Sequence, residues 1–220
     1  MRFKRVTLLS GHYGSGKTNV AVNLALMLAG MRGNVAVADL DIVNPYFRSL
    51  DSREELERAG IRMICSAYAN TNLDVPALPQ EMYAIVDDRT LSAVVDVGGD
   101  ERGALALGRI SDRIREENDY DMLLVVNRFR PLTRDAESVY EIMREIEDAS
   151  RLPFTGIIND SNLGSETTAE TVLESVPFGR EVSERCGLPL VYTAAQESLC
   201  GELKGLIPDL LPLRLQKRPV

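Results

Sequence analysis

The chain is poor in the residues that build metal clusters and covalent frameworks, with three cysteines and one histidine among 220 residues. Cys65, Cys186 and Cys200 are too few and too scattered for a disulfide framework or a CxxC-type metal site. They read as packing residues in a reduced, cytoplasmic compartment. Positive charge is scarce as well. Lys and Arg number 25 against 33 Asp and Glu, a formal net charge of -8. That balance argues against a broad phosphate-neutralising surface, and so against non-specific nucleic-acid binding. No apolar run approaches the ~18 residues of a membrane span. The short apolar run behind Arg2, Lys4 and Arg5 resembles a signal peptide only superficially, because it leads directly into a glycine-rich stretch. Linkers rich in Gly, Ser or Pro are missing and so are repeats. With 45% hydrophobic residues, the expectation is one domain over 1–220, with 208–220 an extended or flexible tail.

What the chain does contain is Gly11-His12-Tyr13-Gly14-Ser15-Gly16-Lys17-Thr18. The stretch fits G, any four residues, G-K-[ST], and lies between the apolar run Val6-Thr7-Leu8-Leu9 and a helical pattern from near Lys17. The chemistry of a phosphate loop calls for these residue types. Glycines let backbone N–H groups close around an anion and the following helix contributes its positive end. Lys17 then reaches the β and γ phosphates, and the Thr18 hydroxyl is a ligand for Mg²⁺.

Strands and helices alternate along the chain, predicting a doubly wound α/β fold with a mostly parallel sheet and helices on both faces. Strands are expected at Val6–Ser10, Asn34–Leu40, Ile61–Ser66, Leu91–Val97, Asp121–Asn127, Phe154–Ile158 and Pro189–Thr193. Helices are expected at Thr18–Met31, Ser52–Ala59, Leu78–Asp88, Ala104–Glu117, Thr133–Ala149 and Glu197–Leu206. Helical spacing mixed with a Val-Pro leaves the boundaries of Glu166–Gly187 open. Ala67–Pro79 reads as an ordered surface loop, and Pro208, Pro212 and Pro219 keep the tail from forming an amphipathic helix.

Two strand ends carry carboxylates. In Asp39-Leu40-Asp41 the acids are two apart and share a face while the strand lasts, at the edge where a parallel sheet binds ligands. Either is suited to orient Mg²⁺-bound water or an attacking water. In Asp96-Val97-Gly98-Gly99-Asp100 an Asp after Val94-Val95 suits the metal-holding acid of such sites, and the glycine turn offers a backbone N–H to the terminal phosphate. Asn159, ending the sixth strand, is a side-chain amide able both to donate to and to accept from a purine. The guanine-reading N-K-x-D tetrad does not occur.

These three motifs in order resemble the MinD/ParA family of P-loop ATPases with a deviant Walker A motif, and the nucleotide-binding domain of its relative cobyrinic acid a,c-diamide synthase. The resemblance implies that Lys17 and Thr18 bind phosphate and Mg²⁺. It puts Asp41 in a first switch beside the hydrolytic water, makes Asp96 the Walker B acid and sets Asn159 against adenine. Val176-Pro177-Phe178-Gly179-Arg180-Glu181-Val182 is similar, more loosely, to the family's segment beside the base, with Pro177 in it. One departure stands out. The family's signature lysine falls at His12, and a neutral imidazole is a weaker phosphate partner than an ammonium. Relatives that carry iron–sulfur clusters or nickel need cysteines near the second switch or clustered histidines, which this chain lacks. The implied function is a slow switch-type ATPase binding ATP·Mg²⁺ and coupling nucleotide state to a homodimer or a protein partner. An ATP-dependent kinase or synthetase like dethiobiotin synthetase, and a nucleotide sensor that does not hydrolyse, are the alternatives.

Overall fold

Val6–Ser10 (β1) is buried along its whole length, a run without alternation that only a strand covered on both faces can carry. It lies inside an eight-stranded sheet in which every described pair is parallel, in the order β3-β2-β4-β1-β5-β6-β7-β8. The computed structural model describes residues 3–40, 53–65, 80–99 and 101–215. The other strands are Val35–Leu40 (β2), Arg62–Cys65 (β3), Ser92–Val97 (β4), Tyr120–Val126 (β5), Gly156–Asn159 (β6), Leu190–Gln196 (β7) and Leu210–Leu213 (β8). The helices are Lys17–Ala29 (α1), Arg53–Arg58 (α2), Ala84–Asp87 (α3), Glu101–Gly108 (α4), Ser111–Glu117 (α5), Ala136–Ser150 (α6), Ala169–Cys186 (α7) and Cys200–Leu203 (α8).

The period-two alternation of strand side chains divides the core into two layers. Leu9, Val35, Val37, Val94, Leu123 and Val125 face α1 and α2. Leu8, Ala36, Ala38, Val95, Leu124 and Val126 face α3 to α7. The fold is thus the doubly wound one expected. At the amino-terminal edge of the sheet, the buried Arg5 pairs with Glu117. Its Nη1 donates to the carbonyls of Ile85 at 2.9 Å and Leu91 at 2.8 Å, so a desolvated cation is both ion-paired and hydrogen-bonded there.

Three expectations need correction, and one stretch left open takes a definite form. The stretch expected as one helix over Ala104–Glu117 is two, α4 and α5. Gly108 ends the first against the Ala149 carbonyl, and Ser111 Oγ donates back to the Gly108 carbonyl at 2.9 Å. Of the helix expected over Leu78–Asp88, the described part is a 3₁₀ turn, Gln80–Tyr83, followed by the single turn α3. The open stretch Glu166–Gly187 holds an 18-residue helix with Pro177 inside it. A Thr168/Thr171 capping box starts that helix and Gly187, at φ 67°, ends it, so its ends outweigh the one backbone bond that proline removes. The expected last helix is a 3₁₀ turn, Glu197–Leu199, and the short α8, after which the chain forms an eighth strand.

That strand lies within the described part of the tail, residues 208–215. Pro212 is compatible with it because β8 is an edge strand. Asn23 of α1 holds its end, as the amide Nδ2 donates to the Arg214 carbonyl at 3.0 Å and Oδ1 accepts from the Arg214 N–H at 2.8 Å. The expected loop over 67–79 lies outside the described residues. Among the described residues no helix is long and apolar enough to cross a membrane.

Asn23→Ala removes both bonds to Arg214 and leaves two backbone groups without their partner. The expected loss is about 1–2 kcal/mol in denaturant unfolding, with faster amide hydrogen exchange confined to 210–214. Unchanged exchange there would show that β8 docks through Leu211 and Leu213 alone.

Candidate functional site

Residues 11–16 turn from the carboxyl end of β1 into α1 at the middle of the sheet. β1 is flanked by β4 on one side and β5 on the other, although β4 and β5 are consecutive in the chain. The chain therefore jumps over β1, and the crevice at that switch point holds the loop. Gly16 is the N-cap of α1 and has φ 95°, a left-handed conformation in which any side chain would be strained. No side chain caps the helix, so its positive end is directed to whatever enters the loop.

The loop is held by its own backbone and by groups that follow the ends of β4, β5 and β6. Ser15 N–H donates to the His12 carbonyl at 3.2 Å. On the β4 side, a Cβ on Gly99 would collide with the Gly11 carbonyl and stand 3.0 Å from Tyr13 N, so only glycine brings this turn against the loop. On the β6 side, the Asp160 carboxyl occupies the space a Cβ on Gly16 would need. Between them, Arg130 Nε donates to the Gly14 carbonyl at 2.8 Å.

Lys17 is buried, and Nζ donates to the His12 carbonyl at 3.4 Å. An ammonium has three donors, so it keeps capacity for an anion. Thr18 Oγ1 donates to Asp96 Oδ2 at 2.5 Å, joining α1 to β4. Asp39 is buried and stands in register with Asp96 on the neighbouring strand. Both lie two residues past members of the α1-facing layer, Val37 and Val94, and share their face, so the two carboxylates are side by side under Thr18. Ser10 Oγ and Ser15 Oγ are buried and form no hydrogen bond in the described residues. A buried ammonium, an uncapped helix end and an orphaned loop hydroxyl fit a polyphosphate. A hydroxyl beside carboxylates is the hard oxygen set that suits Mg²⁺. No group of three or more His, Cys, Asp or Glu able to hold a metal occurs among the described residues.

The other expected residues lie as follows. Asp41 is outside the described residues, and the described acid beside Asp39 is Asp96. His12 Nδ1 is 3.0 Å from the Tyr13 carbonyl, and since a carbonyl only accepts, that nitrogen carries a proton. Tyr13 is 61% exposed. Gly98 packs against Gly103 of α4, so the Gly98–Gly99 turn links the phosphate loop to that helix. Asn159 is fully buried. Its Nδ2 donates to Ser175 Oγ at 2.9 Å and its Oδ1 accepts from Ser161 Oγ at 2.6 Å, so the amide joins β6 to α7. Pro177 is on the exposed side of α7, two residues past Ser175.

Sequence reading missed Arg130 and Asp160. Both follow strand carboxyl ends, the edge that gathers ligands in such sheets, and that position is the signal that could have flagged them. Asp160 is fully buried, and burial pushes its carboxyl up to about 8; the Asn162 amide and the Arg130 charge offset only part of this.

Residues 6–173 match a family described as CbiA, the CobQ/CobB/MinD/ParA nucleotide binding domain. Solved structures share the fold at low identity. FtsY of Thermotoga maritima is 19% identical with a TM-score of 0.53, over 90% of this chain and 63% of that one. FtsY of Elizabethkingia anophelis, in complex with GDP, is 15% identical with a TM-score of 0.52, over 88% and 58%. The signal recognition particle 54 kDa protein of Aeropyrum pernix K1, also with GDP, is 17% identical with a TM-score of 0.52, over 87% and 41%. This chain thus spans less than two thirds of the length of each. No curated protein matches it.

Because the folded state holds the Asp160 proton up to about 8 while an unfolded chain releases it near ~4, the native state binds more protons in between. Stability then falls as pH rises through that window, by up to about 1.4 kcal/mol per pH unit for one group. Asp160→Asn keeps the shape and removes the proton. In urea unfolding at pH 5, 6.5 and 8 the variant is expected to gain on the wild type at each step, and parallel profiles would contradict the assignment.

Proposed function

The chain belongs to the CobQ/CobB/MinD/ParA nucleotide-binding family, and from that premise we propose that it binds ATP with Mg²⁺ and hydrolyses it slowly as a switch. The observation that carries this reading is the hydrogen bond of Thr18 to Asp96, with Asp39 in register beside it. It joins the phosphate loop to the acid-bearing strand ends. Lys17 and the amino end of α1 bind and orient the phosphates, and Thr18 and Asp96 hold the metal. When bound, Mg²⁺ neutralises charge that builds on the terminal phosphate. Phosphoryl transfer to water asks the protein mainly for positioning and charge. Asp39 and Asp41 orient the attacking water, and Gly99, in contact with Gly11 and Tyr13, offers its N–H to the terminal phosphate. Loss of that phosphate would free the Gly98–Gly99 turn and with it α4, which packs on Gly98 through Gly103. This is how nucleotide state would reach a second copy or a protein partner. Asn159, its amide engaged by Ser175 and Ser161, supports the base-side turn at residues 160–162, and that turn, with Pro177 on the helix beside it, is where the adenine contact implied by the family would fall.

Calorimetry with ATP, ADP and GTP, each with and without Mg²⁺, tests the binding. Lys17→Ala is expected to lower ATP affinity at least about tenfold, since it removes a charge-assisted contact of roughly 1.5–3 kcal/mol. Unchanged affinity would end the reading. A GTP preference over ATP would overturn the choice of base. ADP release without any added acceptor supports the switch ATPase, and release only with a metabolite acceptor supports a kinase or synthetase. Asp41→Asn is expected to keep ATP binding and lose turnover. A wild type that binds ATP and never turns it over is a sensor.

A further inference from the structure

Arg130 is placed by a built turn. Asn127, fully buried, accepts the Phe129 N–H on Oδ1 at 3.0 Å, the Arg130 N–H on its carbonyl at 3.1 Å and the Thr133 hydroxyl on the same carbonyl at 2.7 Å. Asn127 Nδ2 also donates to the Asn162 carbonyl at 3.2 Å. The side chain that leaves this turn lies along the phosphate loop. Its Nε, Cδ and Cζ are 3.3, 3.6 and 3.7 Å from where a Cβ on Gly14 would be, and Nε donates to the Gly14 carbonyl. Only one edge of the guanidinium is used. Among the described residues Arg130 forms no ion pair, and its Nη groups donate to none of them.

The loop has two distinguishable ends. Thr18, Asp96 and Asp39 mark the metal end, on the side of β4 and β2. Arg130 and Asp160 come from beyond β1, from the ends of β5 and β6. A phosphate chain whose terminal group is at the metal end extends its other end toward β5 and β6. We propose that Arg130 is a nucleotide-binding residue of this chain, clamping the Gly14 carbonyl with Nε while its Nη groups hydrogen-bond the phosphate at the nucleoside end. A planar fork makes both contacts at once, which a lysine ammonium on a flexible stem does not. The buried Asp160 carboxyl on the same side adds little opposing charge, since burial favours its protonated form. The inference rests on the nucleotide-binding reading above.

The test is calorimetric titration of Arg130→Met, Arg130→Gln and Arg130→Lys with ADP and with ATP, beside thermal unfolding of each protein without nucleotide. All three variants are expected to bind ADP and ATP about tenfold more weakly, by a common factor, with the nucleotide-free melting temperature within a few degrees of wild type. A loss confined to ATP would put the guanidinium at the terminal phosphate and overturn the assignment. So would unchanged affinity, or a loss that follows a large drop in the nucleotide-free melting temperature. If Arg130→Met does not fold, Arg130→Lys decides, because it keeps the charge and loses the fork. A wild type that binds no nucleotide would defeat the reading underneath. A wild type that binds, with Lys17→Ala weakened and Arg130 variants unchanged, would defeat this inference alone.

Discussion

The hydrogen bond between Thr18 and Asp96 is the point through which the rest of this edge is organised. It joins the first turn of α1 to the carboxyl end of β4, so the loop between β1 and α1 cannot close without reference to the carboxylates on the neighbouring strands. Burial on both faces of a parallel sheet makes the strand ends rigid. The loop is then the one segment that must adapt, and its glycines absorb that demand at Gly16, against Asp160, and at Gly11, beneath Gly99. Shape at this edge comes from backbones brought closer than any side chain would permit.

Electrostatics divides the same edge in two. At the β4 and β2 side, two carboxylates stand in register and the Thr18 hydroxyl donates to one of them. A concentration of negative charge is tolerated there because that hydroxyl and the amino end of α1 oppose it. At the β5 and β6 side the buried carboxyl is held toward its neutral form, and an arginine lies over the loop with its Nη donors engaged by none of the described residues. A polyphosphate with a metal at one end and a nucleoside at the other has the same asymmetry.

Some of this was legible before any fold was known. β1 was readable residue for residue, since five consecutive buried positions next to a glycine loop admit no other structure. Lys17, Thr18 and Asp96 were readable because each belongs to a motif whose parts are adjacent in the chain. The end of the fold was harder. β8 holds its place through Asn23, 191 residues away from Arg214, and nothing in Leu210-Leu211-Pro212-Leu213 signals an edge strand rather than a proline-broken tail. The division of α4 from α5 depends on Gly108 meeting the end of α6. Helix α7 keeps Pro177 because its caps and its packing against β6 are formed elsewhere.

The amino-acid sequence by itself determined the parallel α/β class, the phosphate loop and the acid on β4. Hydrophobic period and short motifs are local properties, expressed in whatever fold the chain adopts. Only the tertiary structure decided that Asp39 has Asp96 for its neighbour, that Asn159 is spent on Ser175 and Ser161, and that Arg130 reaches Gly14 across a separation of 116 residues. Those outcomes follow from strand order. Which strand ends stand next to β1 is set by crossovers, and no window of sequence contains a crossover whole.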